Sequence, residues 1–434
     1  MRQNLLSEGV EELEYEIRNI VKKAEKLQAI GMPIFWENIG DPIQKNAVIP
    51  QWMKAIITEL VNEDKSYGYT HSKGELKTRE FLAQKTNELE GVQITATDIL
   101  FFNGLGDAIA KAYQYLKPST RIIGPSPAYS THSSAEAAHA RKEPITYPLN
   151  PNNHWYPDME QLYLHVKYNP NIVGILIINP DNPTGMVYPL EILKQIVSIA
   201  KEFDLFIISD EIYNNITYNG LKAYALAEVV EDVPGIAMKG ISKELPWPGS
   251  RCGWMEFYNR DKDVEFSRLC AALEDAKMIE VCSTTLPQMA IPKILGDRKF
   301  PKYRQEENDK IGKRSRLITE ILSDVPYITF NETYGAFYNT IVFKEGVLKK
   351  GQHLKIVSEE AKALLEEWSQ EELELDKHFV YNLLVAKGVC VVPLSSFHSE
   401  LKGFRVTLLE NDEQILRTSF THIKEALLEY CESF

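Results

Sequence analysis

Val173-Gly174-Ile175-Leu176-Ile177-Ile178-Asn179 is an apolar run that opens into the loop Pro180-Asp181-Asn182-Pro183-Thr184-Gly185, and a second run, Leu205-Phe206-Ile207-Ile208-Ser209, ends in Asp210-Glu211-Ile212-Tyr213. Between them, Ile192, Ile196, Ile199, Ala200 and Phe203 recur at helical spacing from about Glu191 to Phe203, leaving Lys194, Lys201 and Glu202 for solvent. Strand, helix, strand in this order is a βαβ unit. The strands lack period-two alternation, as expected when both faces of a parallel sheet are covered. The sequence therefore predicts an α/β fold with a mainly parallel sheet.

The same texture extends upstream. Ile99–Phe102 reads as a strand, followed by the turn Asn103-Gly104-Leu105-Gly106 and a helix over Asp107–Leu116. Residues 1–30 read as an amphipathic helix with Ile17, Ile20, Val21, Ala24 and Leu27 on one side, and Phe35–Pro42 reads as an ordered loop. Beyond about residue 300 the pattern changes to helices with scattered strands at Tyr327–Phe330, Ala336–Phe343, Val389–Pro393 and Phe404–Leu409. Three parts are expected: an N-terminal helix and loop (1–45) packing with the small domain, a large α/β domain (46–300) and a smaller α+β domain (301–434). A charged stretch around 345–377 reads as an exposed helical insertion.

Composition narrows the function classes. The 434 residues carry 61 acidic against 48 basic side chains, a formal charge of -13, which disfavours nucleic-acid or anionic-membrane surfaces as partners. Five cysteines, with no C-x-x-C pair, suggest neither a disulfide framework nor a metal knuckle, so no metal site is expected. The N-terminus lacks a signal-like apolar segment, and no apolar run reaches the ~20 residues of a membrane span. These features predict a cytoplasmic protein.

Three pieces carry candidate chemistry. The Asn179–Gly185 loop follows a buried strand, where open α/β sheets bind ligands; the same composition also suits an ordinary turn. Asp210 and Tyr213 follow the next strand and can share a cleft; an aspartate there also suits a helix cap. Lys239-Gly240-Ile241-Ser242-Lys243 then precedes Pro248-Gly249-Ser250-Arg251, and a lone lysine is most often simply exposed.

Together, the pieces resemble the class I/II aminotransferases, fold-type I pyridoxal-phosphate-dependent enzymes of the aspartate/alanine aminotransferase kind. That family shows N-P-x-N-P-T-G, then D-x-x-Y, then S-K with an arginine eight residues after the lysine, as Lys243 and Arg251 stand here. The resemblance runs from about Asn38 to the C-terminus. It implies a large domain with a mainly parallel seven-stranded sheet covered by helices, plus a smaller α+β domain. It implies pyridoxal 5′-phosphate as cofactor, joined to Lys243 as a Schiff base, with Lys243, Asp210 and Tyr213 as the catalytic set.

Further roles follow from the same resemblance. Asp210 would pair with the pyridine nitrogen, and Tyr213 and Asn182 would bond the ring oxygen. Arg251, Ser242 and the backbone of Leu105 and Gly106 would hold the phosphate, and Tyr129, in Pro127-Ala128-Tyr129, would stack on the ring. Tyr69 would reach the phosphate of a neighbouring subunit, which makes the partner a second copy in a homodimer. Arg405, in Gly403-Phe404-Arg405-Val406, would bind the substrate carboxylate with Asn182 and the Gly40 backbone. The substrates implied are an L-amino acid and a 2-oxo acid, exchanged in a ping-pong cycle.

This sequence departs from the family where a serine often stands three residues before the lysine, since that position is Gly240. A β-eliminating C–S lyase would use the same cofactor residues and is the alternative reading. A non-catalytic regulatory relative fits less well, because the full Asn/Asp/Tyr/Lys/Arg set is present. A nicotinamide dehydrogenase lacks its G-x-G-x-x-G. Lys73 or Lys239 could read a second carboxylate, and Trp36, Phe337 and Tyr338 could line a side-chain pocket or the core.

Overall fold

Helix Ile17–Ala29 opens the part of the chain described by this computed structural model, residues 17–370 and 372–433. The first half of the helix expected over 1–30 lies outside the described residues. Ile20, Ala24 and Leu27 enter the core at the spacing of one helix face. The chain then forms the short strand β1 (Phe35–Trp36), which runs parallel to Val389–Cys390 near the C-terminus.

The large sheet comprises β2 (Ile99–Phe102), β3 (Arg121–Ser126), β4 (Thr146–Asn150), β5 (Tyr156–Pro157), β6 (Ile172–Ile178), β7 (Phe206–Asp210), β8 (Gly235–Gly240) and β9 (Gly253–Tyr258). Their order is β2-β9-β8-β7-β6-β3-β4-β5. Strands β8, β7, β6, β3 and β4 are parallel, and β9 is antiparallel to both its neighbours. The sheet has eight strands where seven were expected. The addition is the two-residue β5, which folds back on β4 after His154 and Trp155 adopt positive φ (53° and 64°).

Alternate residues of one strand explain why hydropathy shows no alternation. Ile175 and Ile177 pack with Ile123, Ile207 and Ala237 on one face. Leu176 and Ile178 pack with Ile122, Ile208, Ile236 and Met238 on the other. Each fully buried aliphatic side chain contributes roughly 1.5–3 kcal/mol relative to exposure.

The long helix Phe300–Leu322 leads to a second, antiparallel sheet. It contains β10 (Ile328–Thr329), β11 (Tyr338–Phe343), β13 (Val392–Pro393) and β14 (Gly403–Thr407) in the order β10-β11-β14-β13, while β12 (Val389–Cys390) is the partner of β1. Its core includes Phe379, Leu383, Phe404 and Phe420 together with Ile20, Ala24 and Leu27 of the N-terminal helix.

The 345–377 stretch differs from its expectation. Gly346 and Gly351 adopt positive φ and no helix forms before Glu359. Helix Glu359–Trp368, capped by Ser358 Oγ accepting from Ala361 N at 3.2 Å, buries Ala361, Leu365 and Trp368. This short apolar stripe lies hidden among the charges, so the segment is part of the core as well as of the surface.

The loop after β6 joins the two sheets. Asp181 Oδ2 accepts from Thr184 N at 3.0 Å and Thr184 Oγ at 2.5 Å. Gly185 O accepts from Tyr334 N and Gly335 N, and Thr340 Oγ donates to Pro183 O at 2.9 Å. Burial raises the Asp181 carboxyl to about 7, against the bonds from Thr184. Its native pKa thus exceeds the unfolded value of about 3.9. Between those values the native state holds a proton that the unfolded state has released, so this group makes stability fall as pH rises through about 4 to 7. Asp181→Asn should remove that contribution: denaturant melts from pH 4 to 7 should show a less negative slope of stability against pH than the parent protein.

Candidate active site

Loops that follow parallel strands all emerge on the same sheet edge, and there the expected residues gather. Strand β8 ends at Gly240, and Lys243 follows within one turn. Its Nζ donates to Gly40 O at 2.7 Å and lies 5.7 Å from the centre of the Phe337 ring. Glycine at 240 has a local cause. A Cβ there would stand 3.1 Å from both Cys252 O and Ile212 Cδ1, because β8 pairs Gly240 with Gly253 of β9. A serine there would need its neighbours to give by a few tenths of an ångström, and half-buried Ser242 is the hydroxyl next to Lys243.

Beneath this turn lies a charged cluster. Lys239 Nζ contacts Glu256 Oε2 at 2.8 Å and Glu211 Oε2 at 3.6 Å. Glu256 also accepts from Thr86 Oγ, Trp254 Nε1 and Tyr258 Oη. Burial alone would raise Glu256, but Lys239 and these donors hold it below the ordinary range, while burial raises Glu211. Lys239 is thereby committed to structure, and Lys73 pairs with Glu274 at 2.7 Å. Neither lysine is free to read a second substrate carboxylate.

Asp210 stands at the end of β7, buried. Its Oδ1 accepts from Ile212 N at 3.1 Å, a local turn rather than a helix cap, and its Oδ2 lies 3.0 Å from His132 Nε2. His132, on helix Ser130–Ala140, is fully buried and meets the Tyr129 ring edge-on at 6.4 Å. Sequence reasoning missed His132, whose partner Asp210 is distant along the chain. Tyr213 is also buried, with its hydroxyl 3.1 Å from that of Tyr338, and burial raises it well above the usual phenol range. Tyr338, open between pocket and core in the sequence, belongs to the core and also meets the Arg405 guanidinium.

An anion cradle lies at the end of β2. Gly104 (φ +86°) caps helix Leu105–Gln114, and a Cβ on it would come within 2.5 Å of Arg251 Nη2. The first-turn amides of Leu105 and Gly106 have no carbonyl of their own helix to bond. No heavy atom would lie within 4 Å of a Cβ on Gly106, so the space above it is open. Arg251 is exposed and donates to Pro248 O at 3.2 Å.

Arg405 arrives from the other sheet. On β14, opposite Thr340 and Val392, it is buried between the rings of Tyr338 (4.6 Å) and Phe397 (5.2 Å). Its Nη2 donates to Asn38 O at 2.7 Å and its Nη1 to Asn182 Oδ1 at 3.4 Å, while its buried Nε has no partner among the described residues. Gly40 approaches so closely that a Cβ would lie within 2.3 Å of the Tyr338 hydroxyl. Direct contacts thus connect Lys243, Gly40, Tyr338, Tyr213, Arg405 and Asn182, and Asp210, His132 and Tyr129 form a second group. Tyr69 stands apart, 85% exposed.

Among the described residues, no helix is long and apolar enough to cross a membrane, and no three His, Cys, Asp or Glu side chains cluster to hold a metal. The pattern of the family "Aminotransferase class I and II" matches residues 38–430. An uncharacterized aminotransferase of Methanocaldococcus jannaschii is 53% identical over 433 residues, covering all of both chains. The glutamate-pyruvate aminotransferase of Escherichia coli is 28% identical over 76% of this chain and 81% of its own. Among solved structures, an alanine aminotransferase from Pyrococcus furiosus superposes with a TM-score of 0.85 at 26% identity, covering 98% of this chain and 100% of that one. With the fold, the strand-end site and these likenesses in agreement, the chain belongs to the class I and II aminotransferases.

Proposed function

We propose that the protein is a pyridoxal 5′-phosphate-dependent aminotransferase that moves an amino group from an L-amino acid to a 2-oxo acid in two half-reactions. The observation that carries this reading is the meeting of Lys243 with Gly40 O at 2.7 Å, beside the group in which Tyr338 joins Tyr213 to Arg405. One strand-end cleft thereby offers an amine, a phenol and a carboxylate-binding guanidinium. The names of the relatives make glutamate and alanine, with pyruvate as acceptor, the first substrates to test.

The residues fit the cofactor. Arg251 and the amides of Leu105 and Gly106 suit its phosphate, in the space that a Cβ on Gly104 would fill. The ring nitrogen suits Asp210, which His132 orients, and the ring oxygen suits Tyr213 and Asn182. Tyr129 suits the ring face, and Ser242 supplies a further hydroxyl. When bound, the cofactor supplies an aldehyde that condenses with amines and a ring that accepts the electron pair left at the substrate Cα. Asp210 would face the ring nitrogen, and Arg405 would hold the substrate carboxylate, aided by Asn182 and the Gly40 backbone. Lys243 Nζ would be the base that holds the proton taken from the substrate Cα.

The exposure of Tyr69 supports its projection into the site of a second copy, and we assign the functional unit as a homodimer on that basis. The division at about residues 45 and 300 is assigned likewise, supported by the two sheets being separately hydrogen-bonded.

Lys243→Ala should abolish the cofactor's lysine-dependent absorption band and all transamination; retention of either counts against the assignment. Adding glutamate or alanine without a keto acid should convert about one equivalent of amino acid per site. Continuing release of ammonia would instead indicate a lyase. Arg405→Gln should raise KM about 10- to 100-fold for every amino acid substrate, the loss of one charged, paired hydrogen-bonding group. Steady-state kinetics with several amino acids checks this, and an effect confined to one substrate would make Arg405 a side-chain reader.

A further inference from the structure

Tyr338 occupies a position that the reaction as described leaves unused. Its hydroxyl lies 3.1 Å from that of Tyr213, and the Arg405 guanidinium lies 4.6 Å from the centre of its ring. Strand β11, which begins at Tyr338, pairs with β14, which carries Arg405, so the sheet itself holds the two together. The Tyr338 ring also meets the Tyr213 ring edge-on at 5.8 Å, and Tyr338 is buried. Both phenols are therefore locked by packing, and neither is a mobile surface group.

Two phenols that share one hydrogen bond must agree on a direction, because each has a single proton to give. If Tyr213 donates to Tyr338, it has no proton left for a third group. If Tyr338 donates, Tyr213 keeps its proton for whatever oxygen lies beyond it. A cation over the ring of Tyr338 favours Tyr338 as the donor, and Arg405 lies over that ring. The groups facing Tyr213 are Tyr338, Tyr129 and Asp210. Lys243 faces Phe337 and Gly40. Among these, Tyr338 is the hydroxyl placed to donate to Tyr213.

We propose that Tyr338 is a positioning residue that donates its proton to Tyr213, so that Tyr213 presents its own proton to the ring oxygen of the cofactor. This rests on the reading of Tyr213 and Arg405 given above. A donor chain of this kind strengthens its terminal bond, since each hydrogen bond polarises the next.

Tyr338→Phe tests this, because it keeps the ring that Arg405 packs on and removes only the hydroxyl. In the cofactor-loaded protein, the pH midpoint of the visible absorption should move upward by roughly 0.5 units. In a Tyr213→Phe background the same substitution should add no shift, the result expected when one residue acts through the other. Calorimetric binding of propionate, a carboxylate without an amino group, to the cofactor-free protein should be unchanged by Tyr338→Phe, and kcat should fall while KM holds. An unmoved midpoint overturns the proposal. So does a change confined to KM and propionate affinity, which would make Tyr338 only a wall of the carboxylate site. A parent protein that takes up pyridoxal phosphate without a Lys243-dependent band would overturn the underlying assignment and this inference with it.

Discussion

Strand β7 lies between β6 and β8 in a register that sets Ile178 opposite Asp210 and Asp210 opposite Met238. Because the three strands are parallel, their chain ends leave the sheet together. The Asn182 loop, the Asp210 turn and the Lys243 turn therefore begin within neighbouring strand spacings of each other, about 5 Å apart per strand. A slip of one residue in β7 would turn Asp210 to the opposite face and take it from His132. The two apolar layers on either side of the sheet oppose such a slip, since it would exchange every side chain of β7 between them. Hydrophobic packing thus determines where the polar groups end up.

Polar burial near the site is extensive and mostly compensated. Glu256 receives four side-chain partners from Lys239, Thr86, Trp254 and Tyr258. Removing one partner from such a cluster leaves the remaining charge in low dielectric, which is more costly than the bond itself. Asp181 is less well served: one oxygen takes both bonds from Thr184 and the other has none. Its raised proton affinity is the outcome. The loop it supports is also the one that presents Asn182 to Arg405.

Much of this site was legible in the sequence because its parts follow strand ends. Asp210 and Lys243 each come directly after an apolar run, and Gly104 sits between a strand and a helix, where a glycine turn is expected. Arg405 was legible only through the family likeness. His132 was not visible: its partner Asp210 is distant along the chain and nothing in the helix Ser130–Ala140 marks one polar residue over another. Tyr338 stood undecided for a similar reason, since its contact with Tyr213 depends on how the second sheet docks. The 345–377 stretch misled in the opposite direction, its charges masking the stripe Ala361, Leu365 and Trp368. Local pattern reveals elements and their ends; pairings between distant elements arise only from packing.

The guanidinium of Arg405 belongs to one sheet, and the amine of Lys243 belongs to the turn that follows a strand of the other. Arg405 Nη1 meets Asn182 Oδ1 and Lys243 Nζ meets Gly40 O beside the Gly185 and Pro183 bonds that join the sheets, and Val342, Val392 and Leu394 of the second sheet's side pack in one core with Ile175 and Ile177 of the first. The spacing between the two groups is therefore a property of how the sheets dock, and a substitution in that shared packing would shift it without touching either group.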